Sequence, residues 1–180
     1  MKRLTLILLA VITLVSPAWA DSDSLDTLFE RLKAAPTPAA ADITANAIKQ
    51  AWAHVATETD TLLMERSDFA LEHEDYPLAI ELLDRLIVLD PDWAEAWNRR
   101  ATVFYLMDDD RRSMADIAET LKREPRHFGA ITGMGLIFLR QGNKKQAFNA
   151  FLRVLDIYPQ LETAQHAVEL LRPEVEGEPL

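Results

Sequence analysis

Trp93-Ala94-Glu95-Ala96-Trp97-Asn98-Arg99-Arg100-Ala101-Thr102-Val103-Phe104 begins two residues after Pro91. A segment of similar character, His127-Phe128-Gly129-Ala130-Ile131-Thr132-Gly133-Met134-Gly135-Leu136-Ile137-Phe138, begins two residues after Pro125. Pro159 extends the series, so three prolines stand 34 residues apart. A fixed spacing of this length marks a chain built of stacked copies of one small unit, none of which buries its apolar face alone. Counting back from the prolines gives units 60–93, 94–127 and 128–161.

The fourth positions of these units are Leu63, Trp97 and Ile131, the eighth Ser67, Ala101 and Gly135, the eleventh Ala70, Phe104 and Phe138. A small residue among large ones lets the first helix of a unit approach the second while its neighbours fill the layer between them. The second half of each unit repeats the pattern at position 20 (Ala79, Ser113, Ala147), position 24 (Leu83, Ile117, Phe151) and position 27 (Leu86, Thr120, Val154). These intervals of three and four are those of one helix face. Gly142-Asn143 supplies a positive-φ residue after the first helix of the third unit, and Asp108-Asp109-Asp110 fills the equivalent bend of the second. Period, packing code and turns together resemble the tetratricopeptide-repeat (TPR) family over three units of 34 residues. The stretch from Trp93 to Gly142 is similar to short exported TPR proteins of proteobacteria, a resemblance that carries no particular role. It implies an all-α, right-handed solenoid of helix-turn-helix units.

Outside the repeats, Ser24 or Asp23 can cap a helix over 25–34 with Leu25, Leu28, Phe29 and Leu32 in a stripe. Pro36 and Pro38 break the chain, and Asp42 can cap a second helix with Ile43, Ala47, Ile48, Ala51, Trp52 and Val55 along one side. Residues 21–59 are thus expected to form an N-terminal cap or half-repeat. At the other end, 162–172 reads as a capping helix with Ala164, Ala167, Val168 and Leu171 on one face, ended by Pro173, and 173–180 as a flexible tail.

Lys2 and Arg3, an apolar run from Leu4 to Val15 and the small residues Ala18 and Ala20 describe residues 1–20 as a secretory signal cut before Asp21. The run falls short of the ~20 apolar residues a membrane span needs. The expected product is periplasmic, with no stable membrane insertion after cleavage. Cleavage removes two of the 19 basic residues and none of the 29 acidic ones, leaving a net charge of −12. So acidic a chain lacks the basic footprint for nucleic acid or anionic lipid. No cysteine is present, which excludes disulfides and lipid attachment through an N-terminal Cys.

Chemical motifs are missing. His54, His73, His127 and His166 are too scattered in sequence for the usual zinc spacing. Asp108-Asp109-Asp110 lacks the alternating ligands and distal Glu of a calcium loop. Neither a nucleophile elbow nor an SxxK occurs. The chain is therefore read as a non-enzyme that uses no metal or cofactor. Arg100 departs from the family pattern, which usually places Leu at position 7. If closed in, its guanidinium needs a carboxylate from Asp68, Asp84 or Asp116; the favoured reading lets its stem pack and its head reach water.

In TPR solenoids, positions 2, 5, 9 and 12 of the first helices line the concave groove. The resemblance thus assigns Thr61, Met64, Asp68 and Leu71, then Glu95, Asn98, Thr102 and Tyr105 with Arg99 beside them, then Gly129, Thr132, Leu136 and Leu139. Asn98 can hold an extended backbone, and Arg99 and Arg140 can meet an acidic group of a ligand. Chaperone-binding TPR domains carry a Lys and Asn clamp for a C-terminal carboxylate, but here Met64, Asp68, Arg99, Gly129 and Gly133 stand at its positions, which excludes it. The expected function is a protein- or peptide-binding adaptor of the cell envelope. The alternative is a structural subunit of a stable complex, or a homodimer, joined by an apolar patch outside the groove, which an exposed Trp52 would favour.

Overall fold

The computed structural model describes residues 24–53 and 57–177. Residues 1–23, which include the expected signal segment, 54–56 with His54 and Val55, and 178–180 lie outside the described residues. Nine helices and no strand occur among them: α1 (Leu25–Lys33), α2 (Pro38–Ala53), α3 (Glu58–Glu72), α4 (Tyr76–Leu89), α5 (Ala94–Leu106), α6 (Asp110–Arg123), α7 (Phe128–Arg140), α8 (Lys144–Ile157) and α9 (Glu162–Glu176). From α3 to α8 they form three antiparallel pairs, the first helices α5 and α7 also packing on the second helix of the pair before them, and α9 closes the row on α8.

Local chemistry sets the helix ends. Asp75 and Asp109 accept the backbone N–H of Leu78 and Arg112 and so cap α4 and α6. Each bend between paired helices needs one left-handed residue, which Glu74, Asp108 and Gly142 supply. The eighth position is as tight as its small residues require. Ser67 and Ala101 are buried, and a Cβ on Gly135 would stand 2.9 Å from Cζ of Phe151 on α8.

Three expectations change. Pro38 opens α2 instead of breaking the chain, because the N–H it lacks has no helical partner in a first turn. Thr37 caps it through Ala40, a full turn ahead of Asp42, which instead accepts a hydrogen bond from the Tyr158 hydroxyl. Its buried side is Ala41, Thr44, Ala45, Ile48 and Trp52, and Ile43 and Ala51 of the expected stripe are exposed. Pro173 does not end α9 either. The helix runs on to Glu176, where an Arg172–Glu176 pair spans the proline and Gly177, at φ 88°, stops it.

The largest difference is the place of α1 and α2. They do not stack ahead of α3. Leu28, Phe29, Leu32, Ala41, Ala45, Ile48 and Trp52 join one core with Phe128, Ile131, Phe151 and Tyr158, at the opposite end of the row. Sequence register explains why. At matching positions the second helices put Ile80, Leu83 and Ile87, then Met114, Ile117 and Leu121, then Phe148, Phe151 and Leu155 into the cores they share with the first helices. The equivalent residues of α2 are Asn46, Lys49 and Ala53, which offer α3 no apolar face.

Candidate functional site

α2 lies across the turns that join successive pairs. Near its C-terminal end the carbonyl of Trp52 accepts the indole N–H of Trp93 at 2.7 Å, and the Trp52 ring stacks on His127 with centroids 4.0 Å apart. Trp93 and His127 are the residues at which α5 and α7 begin. Toward its start, Asp42 holds Tyr158, and Gln160 donates to the carbonyl of Ala35 just upstream. Burial and the hydrogen bond to Asp42 push the Tyr158 hydroxyl's pKa well above its ordinary value.

Beneath Trp52 a polar network crosses the first helices. The backbone N–H of Ala130 donates to Nδ1 of His127, which places the proton of a neutral ring on Nε2, 3.0 Å from Glu95 Oε2. Glu95 also accepts Arg99 Nε at 2.7 Å and Asn98 Nδ2 at 3.1 Å, while Arg99 Nη1 reaches Asp68 at 2.9 Å. Burial alone would raise the Glu95 carboxyl, but His127 and Arg99 outweigh it and hold the pKa below the usual range. At Asp68 burial wins over the Arg99 charge, and the neighbouring Glu95 and Glu72 add to the rise.

Beside this network a cavity of about 290 Å³ opens between α5 and α7, below the ~300–1,000 Å³ usual for small-molecule sites. Asn98, Thr102, Tyr105, Thr132 and Leu136, all expected in the groove, meet here. Ala101, Gly129 and Gly133 keep it open; a Cβ on Gly133 would touch Cδ1 of Ile117, which forms part of its lining. A second hollow shares Gly129 and Thr132 and is walled by Asn46 and Lys49 of α2.

The other assigned residues stand apart. Met64 is buried in the core of the first pair, against which Leu71 packs, and Glu95 is buried under its three partners, so Met64 and Glu95 have no free face for a ligand. Arg99 is held by two carboxylates. Arg140 lies over the Tyr105 ring and is paired with Asp108 and Asp110. Leu139 is exposed but does not line the cavity. Arg100 overturns the favoured reading, since it does not reach out to water. Nε and Nη2 grip Asp116 at 2.7 and 2.8 Å, Nη1 reaches Asp84 at 2.5 Å, and the guanidinium covers Trp97. The third candidate partner, Asp68, serves Arg99 instead.

Sequence reasoning missed Leu106, Ser113 and Ile117 on the cavity wall, and the His127–Trp52 stack above the network. The signal within reach was Gly129 and Gly133, one turn apart on a first helix: small residues there leave room between helices.

A family model described as tetratricopeptide repeat matches residues 65–107 and 111–162. A TPR repeat-containing protein of Rhizobium etli is 44% identical over 153 residues, 85% of this chain and 75% of that one. Among solved structures, the first TPR of Spaghetti (RPAP3) bound to the HSP90 peptide SRMEEVD superposes with a TM-score of 0.62 at 16% identity, over 68% of this chain and 98% of that one. The Sgt2 TPR domain of Aspergillus fumigatus gives 0.61 at 16% identity, over 70% and 88%. At such identities the structures speak for the fold alone.

Proposed function

The chain belongs to the tetratricopeptide-repeat family, and from that premise we propose that it is a non-enzymatic adaptor of the cell envelope that binds a protein segment in the groove between α5 and α7. Units 60–93, 94–127 and 128–161 make the scaffold, and cleavage before Asp21 delivers it to the periplasm. One observation carries the binding reading: an open, apolar-floored cavity with the amide of Asn98 at its wall. Its size suits one or two apolar side chains, with hydrogen bonds to the segment's backbone. The Spaghetti structure holds an acidic peptide. The ligand proposed here is different, because Arg99 and Arg140 are already neutralised by carboxylates of this chain. A largely neutral segment with an apolar anchor fits better than an acidic tail. Trp52, whose exposure would favour the structural-subunit reading, is buried on His127.

The test is capture of a partner by the tagged mature protein, followed by variants. Tyr105→Ala or Gly133→Leu should weaken capture by about 1–3 kcal/mol, the range of ordinary interface hot spots, with helical content unchanged. Lys144→Ala, at the start of α8, should not. Equal capture by all three removes the groove from the account. Mass spectrometry of the native protein should find Asp21 at its N-terminus; intact Met1 in a membrane fraction would refute export by cleavage.

A further inference from the structure

The third and tenth positions of each unit are where a first helix meets the second helix of the unit before. Ala96 and Val103 are 0% exposed, Ala130 and Ile137 1% and 0%, and in α9 the equivalent Ala164 and Leu171 are 0% and 7% exposed. In α3 the same positions hold Leu62 and Phe69, which are 49% and 61% exposed. Among the described residues no helix covers this repeat-packing face. Next to it, a depression between α3 and α4 is lined by Leu63, Val88 and Leu89 together with Thr59, Glu81, Asp84 and Arg85. Along one flank of the Leu62–Phe69 line stand Glu58, Glu65 and Glu72, seven residues apart on one helix face, all exposed and without an ion pair among the described residues.

Two occupants are disfavoured. The chain's own α2 carries Asn46, Lys49 and Ala53 at the register positions that would cover α3, and its apolar side is engaged with α7. A second copy pairing α3 antiparallel with α3 about a two-fold axis brings each flank against itself, so the row of glutamates would face its own copy, and like charges repel; a parallel pairing is the dimer that sedimentation detects.

We propose that this face docks a cationic amphipathic helix of another protein in the slot of a missing preceding second helix. Its apolar residues take the i, i+3, i+7 spacing of Ile80, Leu83 and Ile87, which share one core with Ala96 and Val103. Lysines or arginines along one side, seven residues apart, meet Glu58, Glu65 and Glu72. The site is separate from the α5–α7 groove and does not depend on what binds there.

The probe is a pair of stapled helical peptides with leucines at i, i+3 and i+7, one carrying lysines on the flank and the other glutamates. Binding to the full mature protein is read by fluorescence anisotropy, with amide shifts locating the site. The lysine peptide should bind, with shifts confined to α3 and α4. The glutamate peptide should bind at least about tenfold more weakly, a difference of ~1.4 kcal/mol. Phe69→Glu and Leu62→Glu, at exposed positions that leave the fold intact by circular dichroism, should abolish binding. Glu65→Lys with Glu72→Lys should turn the preference toward the glutamate peptide. The proposal is overturned if neither peptide binds, if the two bind alike, if Phe69→Glu leaves binding unchanged, or if sedimentation finds a dimer that Phe69→Glu dissolves.

Discussion

Gly133 and Gly135 lie half a turn apart in α7, and replacing each by alanine should move stability in opposite directions. In a helix interior, glycine costs about 0.5–1 kcal/mol relative to alanine, so both substitutions begin with the same gain. At Gly133 the new methyl meets only Cδ1 of Ile117 at 3.6 Å, an ordinary contact, and the gain is kept. For a domain this size it should raise the Tm by about 2–4 °C. At Gly135 the methyl would stand 2.9, 3.1 and 3.2 Å from three atoms of the Phe151 ring. Phe151 is fully buried in the core shared by α7, α8 and the N-terminal helices and has nowhere to retreat. Overpacking of this kind costs about 1–3 kcal/mol, so Gly135→Ala should be neutral at best and down by up to ~2 kcal/mol. Because the propensity gain is common to both, the difference between the variants isolates the contact. Urea denaturation followed by circular dichroism should place Gly133→Ala above the parent and Gly135→Ala below Gly133→Ala by about 1–3 kcal/mol. Adding Phe151→Leu to Gly135→Ala should recover part of the loss. If the two alanine variants are equally stabilised, the eighth position is not the close contact described here.

Arg100→Leu leaves Asp116 buried without its cation and should cost about 3–5 kcal/mol, whereas Arg100→Leu with Asp116→Leu should cost much less, as a double-mutant cycle in denaturant would show. Glu95 has a depressed folded pKa, so its contribution to stability is present above its unfolded value, near 4.3, and is lost as pH falls through the folded one. Urea midpoints should therefore show Glu95→Gln well below the parent at neutral pH, with the gap closing in acid; a gap independent of pH refutes this account of the network. Trp52→Ala removes the ring contacts with His127 and Phe128 but keeps the backbone carbonyl that accepts from Trp93, and should cost about 3–5 kcal/mol locally. Limited trypsin treatment should then cut after Lys49 while 58–176 stays protected, and an unchanged cleavage pattern would show that the hairpin is held elsewhere.

The helix pairs were legible because period, small residues and turn chemistry all repeat at one spacing, and each is a local property. The groove lining was half legible. Asn98, Thr102, Tyr105, Thr132 and Leu136 reach the cavity, but positions carried over from a family do not reveal that Glu95 is pulled under His127 or that Arg99 is taken by Asp68. Those depend on contacts across about 30 residues of sequence. The placement of α1 and α2 was harder. Their stripes are amphipathic, but only the set Asn46, Lys49 and Ala53, which holds no large apolar residue where the other second helices do, says they cannot precede α3. Pro38 and Pro173 misled for one shared reason: proline ends or opens a helix according to which hydrogen bonds its neighbours already make.

The central claim, that a partner segment sits between α5 and α7, is tested most directly by amide hydrogen exchange on the protein with and without a partner captured from its own cells. The account predicts new protection at 98–106 and 129–136, with little change at 110–123 and 144–157. Protection confined to α2, α9 or the outer face of α3, with α5 and α7 exchanging as in the free protein, would contradict it.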